Sequence, residues 1–272
     1  MKVLAHLFMI WSLMMIWSCE EIPIELSDPV IPDSERVVLL EDLTGVSCPN
    51  CTKASSVIKN ILAKFPDRVA VIGIHGDLLT TPIPGKSKYD FRNQKAKDLE
   101  KFFNPFGKPS ASINRVPTDD NELTIPLPDL WQAAVEKELQ KEHQMNILFD
   151  IVYDETSRKV SIDIATIPLN DLNGIFNISV FMTESNIIDA QSDGPVINEN
   201  YNHQHVLREM MTKFDGDNLG SDLKREIIMR RNYDYTLPTL WKVDNMEVVV
   251  VVHHNSSNDK SVVQAVVKKI KR

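Results

Sequence analysis

The feature that most limits the fold is a cysteine pair, Cys48 and Cys51, set between two segments of opposite texture. Before it, Arg36-Val37-Val38-Leu39-Leu40-Glu41-Asp42-Leu43 is an apolar run of strand length without strict alternation, the pattern of a strand covered on both faces. After it, Ala54, Val57, Ile58, Ile61, Leu62 and Phe65 recur at steps of three and four, which predicts a helix over 52–65 that Pro66 ends. Val69-Ala70-Val71-Ile72-Gly73-Ile74-His75 is a second unbroken apolar strand. Strand, helix and strand within residues 36–75 predict a βαβ unit with a right-handed crossover.

The pair therefore falls at a helix N-terminus. Unpaired amides and the helix dipole favour an anion there, so Cys48 should ionise more readily than a free thiol. Pro49 suits a first turn, where its missing N–H is not needed. A step of three residues puts both sulfurs on one face, within reach of a disulfide. An attacking Cys48 and a resolving Cys51 is one reading. A static disulfide clip is another, and half of a metal site a third. A zinc site needs two further ligands, and the sequence has no second Cys-x-x-Cys or Cys–His pair.

From Val38 to Cys51 the sequence resembles the strand, loop and active-site helix of thioredoxins. That resemblance implies a buried proton-transferring acid at Asp42, six residues before Cys48, and a cis-proline opposite the cysteines. Pro109 is the candidate, at the head of a short strand through Ile113 and following a helix-like stretch over 89–103. Lys108 would then face substrate. Here Ser47 replaces the tryptophan that thioredoxins place before the first cysteine, and Asn50 replaces the residue that tunes potential between the two. Residues 76–88, with Pro82, Pro84 and Gly85, read as an inserted loop near the site, and 128–144 as a closing helix. His75, at the end of the second strand, is either a proton partner of the cysteines or a structural histidine.

From residue 146 the texture changes. Ile147 to Tyr153 and Lys159 to Ala165 flank a polar turn and predict a hairpin. Glu247 to His254 and Val262 to Val267 predict another. Many short strands and few helices predict an antiparallel β-sandwich of immunoglobulin-like type. His203 and His205 are two apart and would share a strand face, where His253 and His254 could join them on a metal; solvated imidazoles need none.

Residues 3–17 are an apolar run behind Lys2, long enough for a signal-peptide core and short of the ~20 residues of a spanning helix. The run ends in Ile16-Trp17-Ser18-Cys19, which resembles a lipobox, although Trp17 is larger than usual there. Cleavage would leave Cys19 as a lipid-bearing first residue; a retained anchor or an ordinary secreted protein are the alternatives. Three cysteines then resolve into one lipid site and one pair, in a compartment where a disulfide persists. Residues 19–35, acidic and punctuated by Pro23, Pro29 and Pro32, read as a tether. A net charge of −8 argues against nucleic acid as a partner.

The lipid cysteine, Leu-Leu-Glu-Asp-Leu-Thr-Gly ahead of Cys-x-x-Cys, Pro109 before Ile113-Asn114-Arg115, and Asn202-His203-Gln204-His205-Val206-Leu207-Arg208 together resemble the outer membrane protein twenty-eight-related family of Bacteroidota lipoproteins. The sequence thus leads to a signal peptide (1–18), a tether (19–35), an α/β thioredoxin-like domain (36–144) and an all-β immunoglobulin-like sandwich (146–272). The location implied is the outer membrane of the cell envelope, with a surface-exposed position open. One activity it leads to is thiol–disulfide exchange on exported proteins, with Cys48, Cys51 and Asp42 in the chemistry, Lys108 and Pro109 at the substrate, and no cofactor or metal. The other is a surface binding or adhesion module in which the pair is a fixed clip.

Overall fold

The apolar run ahead of the cysteines forms β1 (Val38–Leu43), buried at every position. It is described, with residues 34–271 as a whole, by a computed structural model. The signal peptide, most of the tether and Cys19 lie outside the described residues. The chain continues through α1 (Cys51–Lys64), β2 (Val69–Ile74), α2 (Gln94–Phe103), β3 (Ser110–Ile113) and α3 (Trp131–Leu139). The strands β4 (Met145–Asp154), β5 (Lys159–Pro168), β6 (Leu172–Glu184), β7 (Ile187–Asp193) and β8 (Val196–His203) follow. The last are β9 (Val206–Met210), β10 (Asp217–Leu223), β11 (Met229–Thr236), β12 (Met246–His254) and β13 (Val262–Lys269). No helix among the described residues is long and apolar enough to cross a membrane.

β1 and β2 pair in parallel across α1, from Val38 opposite Val69 to Leu43 opposite Ile74, and β3 adds antiparallel on the other side of β1. The helix starts at Cys51 and buries Cys51, Ala54, Ile58 and Ile61, the face its spacing predicts. Asn93 caps α2, its side chain accepting from the Ala96 amide at 2.8 Å, and Asn104 in the left-handed region ends it. That cap makes the helix shorter than the stretch expected over 89–103.

The expectation of an α/β thioredoxin-like domain followed by an immunoglobulin-like sandwich is corrected by the architecture. The protein is mostly β, 43% strand against 16% helix, with several sheets and no distinct thioredoxin-like α/β domain. The principal sheet has eight strands in the order β13-β12-β6-β9-β2-β1-β3, with β10 also on β6. Strands from both halves of the chain therefore share one sheet. The joint is narrow: Gly73 of β2 pairs with Val206 of β9, and the Gly73 amide donates to the His205 carbonyl at 2.7 Å. A Cβ at Gly73 would lie 3.2 Å from that carbonyl, so the glycine lets the two backbones close. The other sheets are β11-β5-β4 and the β7-β8 hairpin.

Three apolar layers follow from strand alternation. Val38 and Leu40 pack beneath α1 and α3 with Ile58, Ile61 and Trp131. Leu39 and Leu43 turn the other way, into a layer that holds Leu99 and Phe103 of α2 together with Phe181, Val249 and Val251. Val248, Val250 and Val252 alternate with those valines and face Ile147, Phe149, Ile162 and Ile164 of the second sheet. The valine run of β12 is thus covered on both faces. Polar side chains tie the layers together: Arg115 makes a two-pronged ion pair with Glu41 at 2.6 and 2.9 Å, both buried. Asn114 accepts from the Leu39 amide at 2.8 Å and donates to Glu138 at 3.1 Å.

Candidate functional site

Cys48 and Cys51 are joined in a disulfide at the N-terminus of α1. The loop that presents them is tight. The Cys48 amide donates to the Gly45 carbonyl at 3.0 Å, and residues 77–81 of the inserted loop cross directly over Gly45. A Cβ there would come within 2.2 Å of the Leu79 carbonyl, so only glycine fits. Ser47 fixes the crossing, its amide donating to Leu79 at 3.0 Å and its hydroxyl to Thr81 at 2.7 Å.

A second cover comes from far along the chain. The β7-β8 hairpin lies on the cysteine loop: the Ser192 amide donates to the Val46 carbonyl, and the Gly194 amide to the Pro49 carbonyl, each at 2.8 Å. Buried Gln191 donates from Nε2 to the carbonyls of Gly45 and Cys48, at 3.1 and 3.0 Å. Thr52, in the first turn of α1, donates to Asp193 at 2.7 Å. Asp189 anchors the base of the hairpin by accepting from the amides of Lys88 and Tyr89. Under this cover Cys48 is 0% exposed and Cys51 2% exposed, whereas Pro49 and Asn50 between them are open to solvent.

Asp42 stands in β1 between Gly73 of β2 and Ala111 of β3. It is buried, and its Oδ1 has no hydrogen-bond partner among the described residues. Burial pushes its carboxyl up to about 7, with the Lys108 ammonium pulling the other way. The Lys108–Pro109 peptide bond is cis and leads into β3. The Lys108 side chain is fully buried; its Nζ donates to the Thr44 carbonyl at 2.8 Å and to Glu100 at 2.6 Å. Glu100 in turn accepts from the amides of Asp77 and Leu78, so the ammonium ties α2, the inserted loop and the end of β1 together. Burial lowers the Lys108 pKa against the pull of Glu100.

A cleft of about 620 Å³ opens between α1 and β8. Asp42, Cys51, His75, Tyr201 and His203 are among its lining residues. The His75 and His203 rings lie 6.3 Å apart, each edge-on to Phe91. Desolvation holds His203 down to about 4 and His75 well below its usual range, so both are neutral near pH 7. His205 lines the same cleft. The other two histidines singled out in the sequence are elsewhere: His253 bonds Ser179 at 3.0 Å, and His254 packs on Phe176. Among the described residues no three His, Cys, Asp or Glu side chains are grouped to hold one metal ion.

The structure thus brings Asp42, Cys51, His75 and His203 to one cleft. The sequence reading missed the hairpin cover, with Gln191, Asp193 and Tyr201. The one available signal was Asp189-Ala190-Gln191-Ser192-Asp193, too polar for a core strand and not turn-like either.

A family model described as "Outer membrane protein Omp28" matches residues 96–272. No curated protein matches the chain in sequence. Among solved structures, HBP35 of Porphyromonas gingivalis superposes with a TM-score of 0.70 at 15% identity, over 89% of this chain and 77% of that one. Protein AGR_C_4864 from Agrobacterium tumefaciens gives 0.56 at 14%, over 88% and 97%. At these identities the likeness is one of fold. A domain of the outer membrane lipoprotein Omp28 from Porphyromonas gingivalis gives 0.33 at 18%, over 48% and 90%.

Proposed function

We propose that this chain, which belongs to the Omp28 family of outer membrane proteins, is tethered there by lipid on Cys19 and exchanges its Cys48–Cys51 disulfide with thiols outside the cytoplasm. Exported proteins that carry free thiols are the partners this reading names. The observation that carries it is a disulfide at a helix N-terminus and a buried acid whose Oδ1 has no hydrogen-bond partner among the described residues, with Asp42 and Cys51 lining one cleft.

The chemistry follows from those groups. An incoming thiol gives its proton to Asp42, whose carboxyl near 7 is partly ionised at neutral pH and so can accept it. Its sulfur bonds one cysteine, the protein S–S bond breaks, and the electron pair leaves on the other cysteine. A second client thiol then attacks the first client's sulfur in the mixed disulfide, and the protein cysteine leaves and takes up the proton. Two client thiols become one client disulfide, and the protein takes up two electrons and two protons as a dithiol. Lys108, bound to Glu100 and the Thr44 carbonyl, holds the loop around this acid.

A second reading has its own support. Cys48 is sealed under the hairpin, as suits a disulfide that only pins the loop while other surfaces bind partners. The discriminating experiment mixes the oxidised protein with a reduced, unfolded dithiol polypeptide and follows both by thiol labelling and mass spectrometry. Exchange predicts client disulfide and protein dithiol in equal amounts, slowed at least ~10-fold by Asp42→Asn, as expected for loss of a general base. A protein that stays oxidised under thiol buffers that reduce exposed disulfides is a clip.

A further inference from the structure

We infer that in the closed protein the disulfide is entered at Cys51, through the α1–β8 cleft, by small thiols that carry hydrogen-bond donors. This rests on the exchange reading and adds to its protein clients a small-thiol substrate class with its own point of attack. Cys48 is 0% exposed, is absent from the cleft wall, and has its own carbonyl held by Gln191. Cys51 is the cysteine that lines the cleft. At about 620 Å³ the space suits a small molecule and not a folded polypeptide.

Three unpartnered polar atoms belong to residues of the cleft wall and set what would fit there. Asp42 Oδ1, His75 Nδ1 and His203 Nε2 are each buried without a partner among the described residues, and all three residues line the cleft. Backbone carbonyls favour an N–H on each neutral ring, Gly73 at His75 and Ala190 and Asp189 at His203, which leaves the second nitrogen without a proton. The bare nitrogens therefore present lone pairs, and the bare carboxylate oxygen is an acceptor too. Two of the three N–H donors of the nearby Lys108 are used on Glu100 and Thr44. A ligand that satisfies this floor brings N–H groups, such as an aminothiol.

The direction of attack also suits the leaving group. The thiol passes its proton to Asp42, its sulfur bonds Cys51, the Cys51–Cys48 bond breaks, and the electron pair leaves on Cys48. That sulfur lies just before the first turn of a fourteen-residue helix, where a thiolate is favoured, and a more acidic thiol leaves faster. A second thiol then attacks the sulfur of the first, releases a small disulfide, and leaves Cys51 to take up the proton. The sequence-based roles, Cys48 attacking and Cys51 resolving, are reversed for this entry route.

The test treats the oxidised full-length protein with cysteamine or with mercaptoethanesulfonate, quenches with acid and maps the adduct by mass spectrometry. Cys51 should carry at least ~10-fold more adduct than Cys48. Cysteamine should react severalfold faster than the sulfonate once each rate is divided by its rate on free cystine. Tyr201→Ala, which clears a ring from the cleft wall, should speed adduct formation at Cys51 alone. Adduct mainly on Cys48, equal normalised rates, or no adduct at concentrations that reduce exposed disulfides would each overturn the inference. Failure of the exchange reading is separate: adduct on Cys51 with no oxidation of a dithiol polypeptide would leave the entry route standing.

Discussion

A buried ionisable side chain leaves its mark on stability as well as on chemistry, and Asp42 and the histidines pull in opposite directions. Asp42 has a folded pKa raised from 3.8 to about 7, so the folded protein is at its best, for this group, below 3.8. That advantage is lost as pH rises toward 7, because the unfolded carboxyl ionises first. His203 and His253, held down to about 4 and 3, act the other way, and His75 joins them. Unfolding lets these rings protonate below 6.5, so stability grows with pH from about 4 to 6.5 and then levels. The expected profile rises to a maximum near pH 6.5 and declines slightly above it. Asp42→Asn should match the wild type near pH 4 and exceed it above pH 7 by up to ~4 kcal/mol, the order set by three pKa units. Denaturant unfolding at pH 4, 6 and 8 checks this, and a variant no more stable at pH 8 would show that Asp42 is not desolvated as described.

At the scale of elements, the strand–helix–strand around the cysteines was legible because its cues are local: apolar runs, a three-and-four spacing, and a proline stop. Asp42 and the cis bond before Pro109 were reachable only through resemblance, since a carboxylate in an apolar run and a proline before a strand have several uses. The hairpin cover was not legible. Its grip on the loop consists of backbone amides of Ser192 and Gly194 and a single glutamine, and backbone donors carry no sequence signature. Separations of over 140 residues place these contacts beyond any periodicity argument. The grip can be measured. Gln191→Ala removes two hydrogen bonds to the cysteine loop and leaves the carbonyls of Gly45 and Cys48 without that donor, a loss of about 1–3 kcal/mol. Reduction of the disulfide by a bulky phosphine should then speed up roughly 10-fold, in keeping with that loss. An unchanged rate would mean that the inserted loop alone, through Leu79 and Thr81, keeps reagents out.

For the whole molecule, the decisive fact is that the eight-stranded sheet crosses between the halves at Gly73 and Val206. Composition suggested two folding units because the first half holds the helices and the second the hairpins. Pairing partners are set by three-dimensional packing, and a joint of one residue pair on a parallel strand leaves no trace in either sequence. The layer under that joint is shared: Leu39, Ala70, Ile72 and Ile74 from the first half pack with Phe181, Val249, Val251 and Ala265 from the second. Arg36 reaches the same way, bonding the Val263 carbonyl at 3.0 Å, and Val37 donates its amide to Gln264. A fragment of residues 34–144 would expose those apolar faces and leave Arg36 short of a partner. Each large side chain uncovered costs about 1.5–3 kcal/mol, so a handful exceeds the 5–15 kcal/mol that holds a typical protein folded. The fragment should therefore be unfolded or aggregated by circular dichroism and sizing, while the chain from residue 34 onward should melt in one transition. A fragment that folds alone with its disulfide formed would show that the shared layer is dispensable, and that the sheet joins two units each stable without the other.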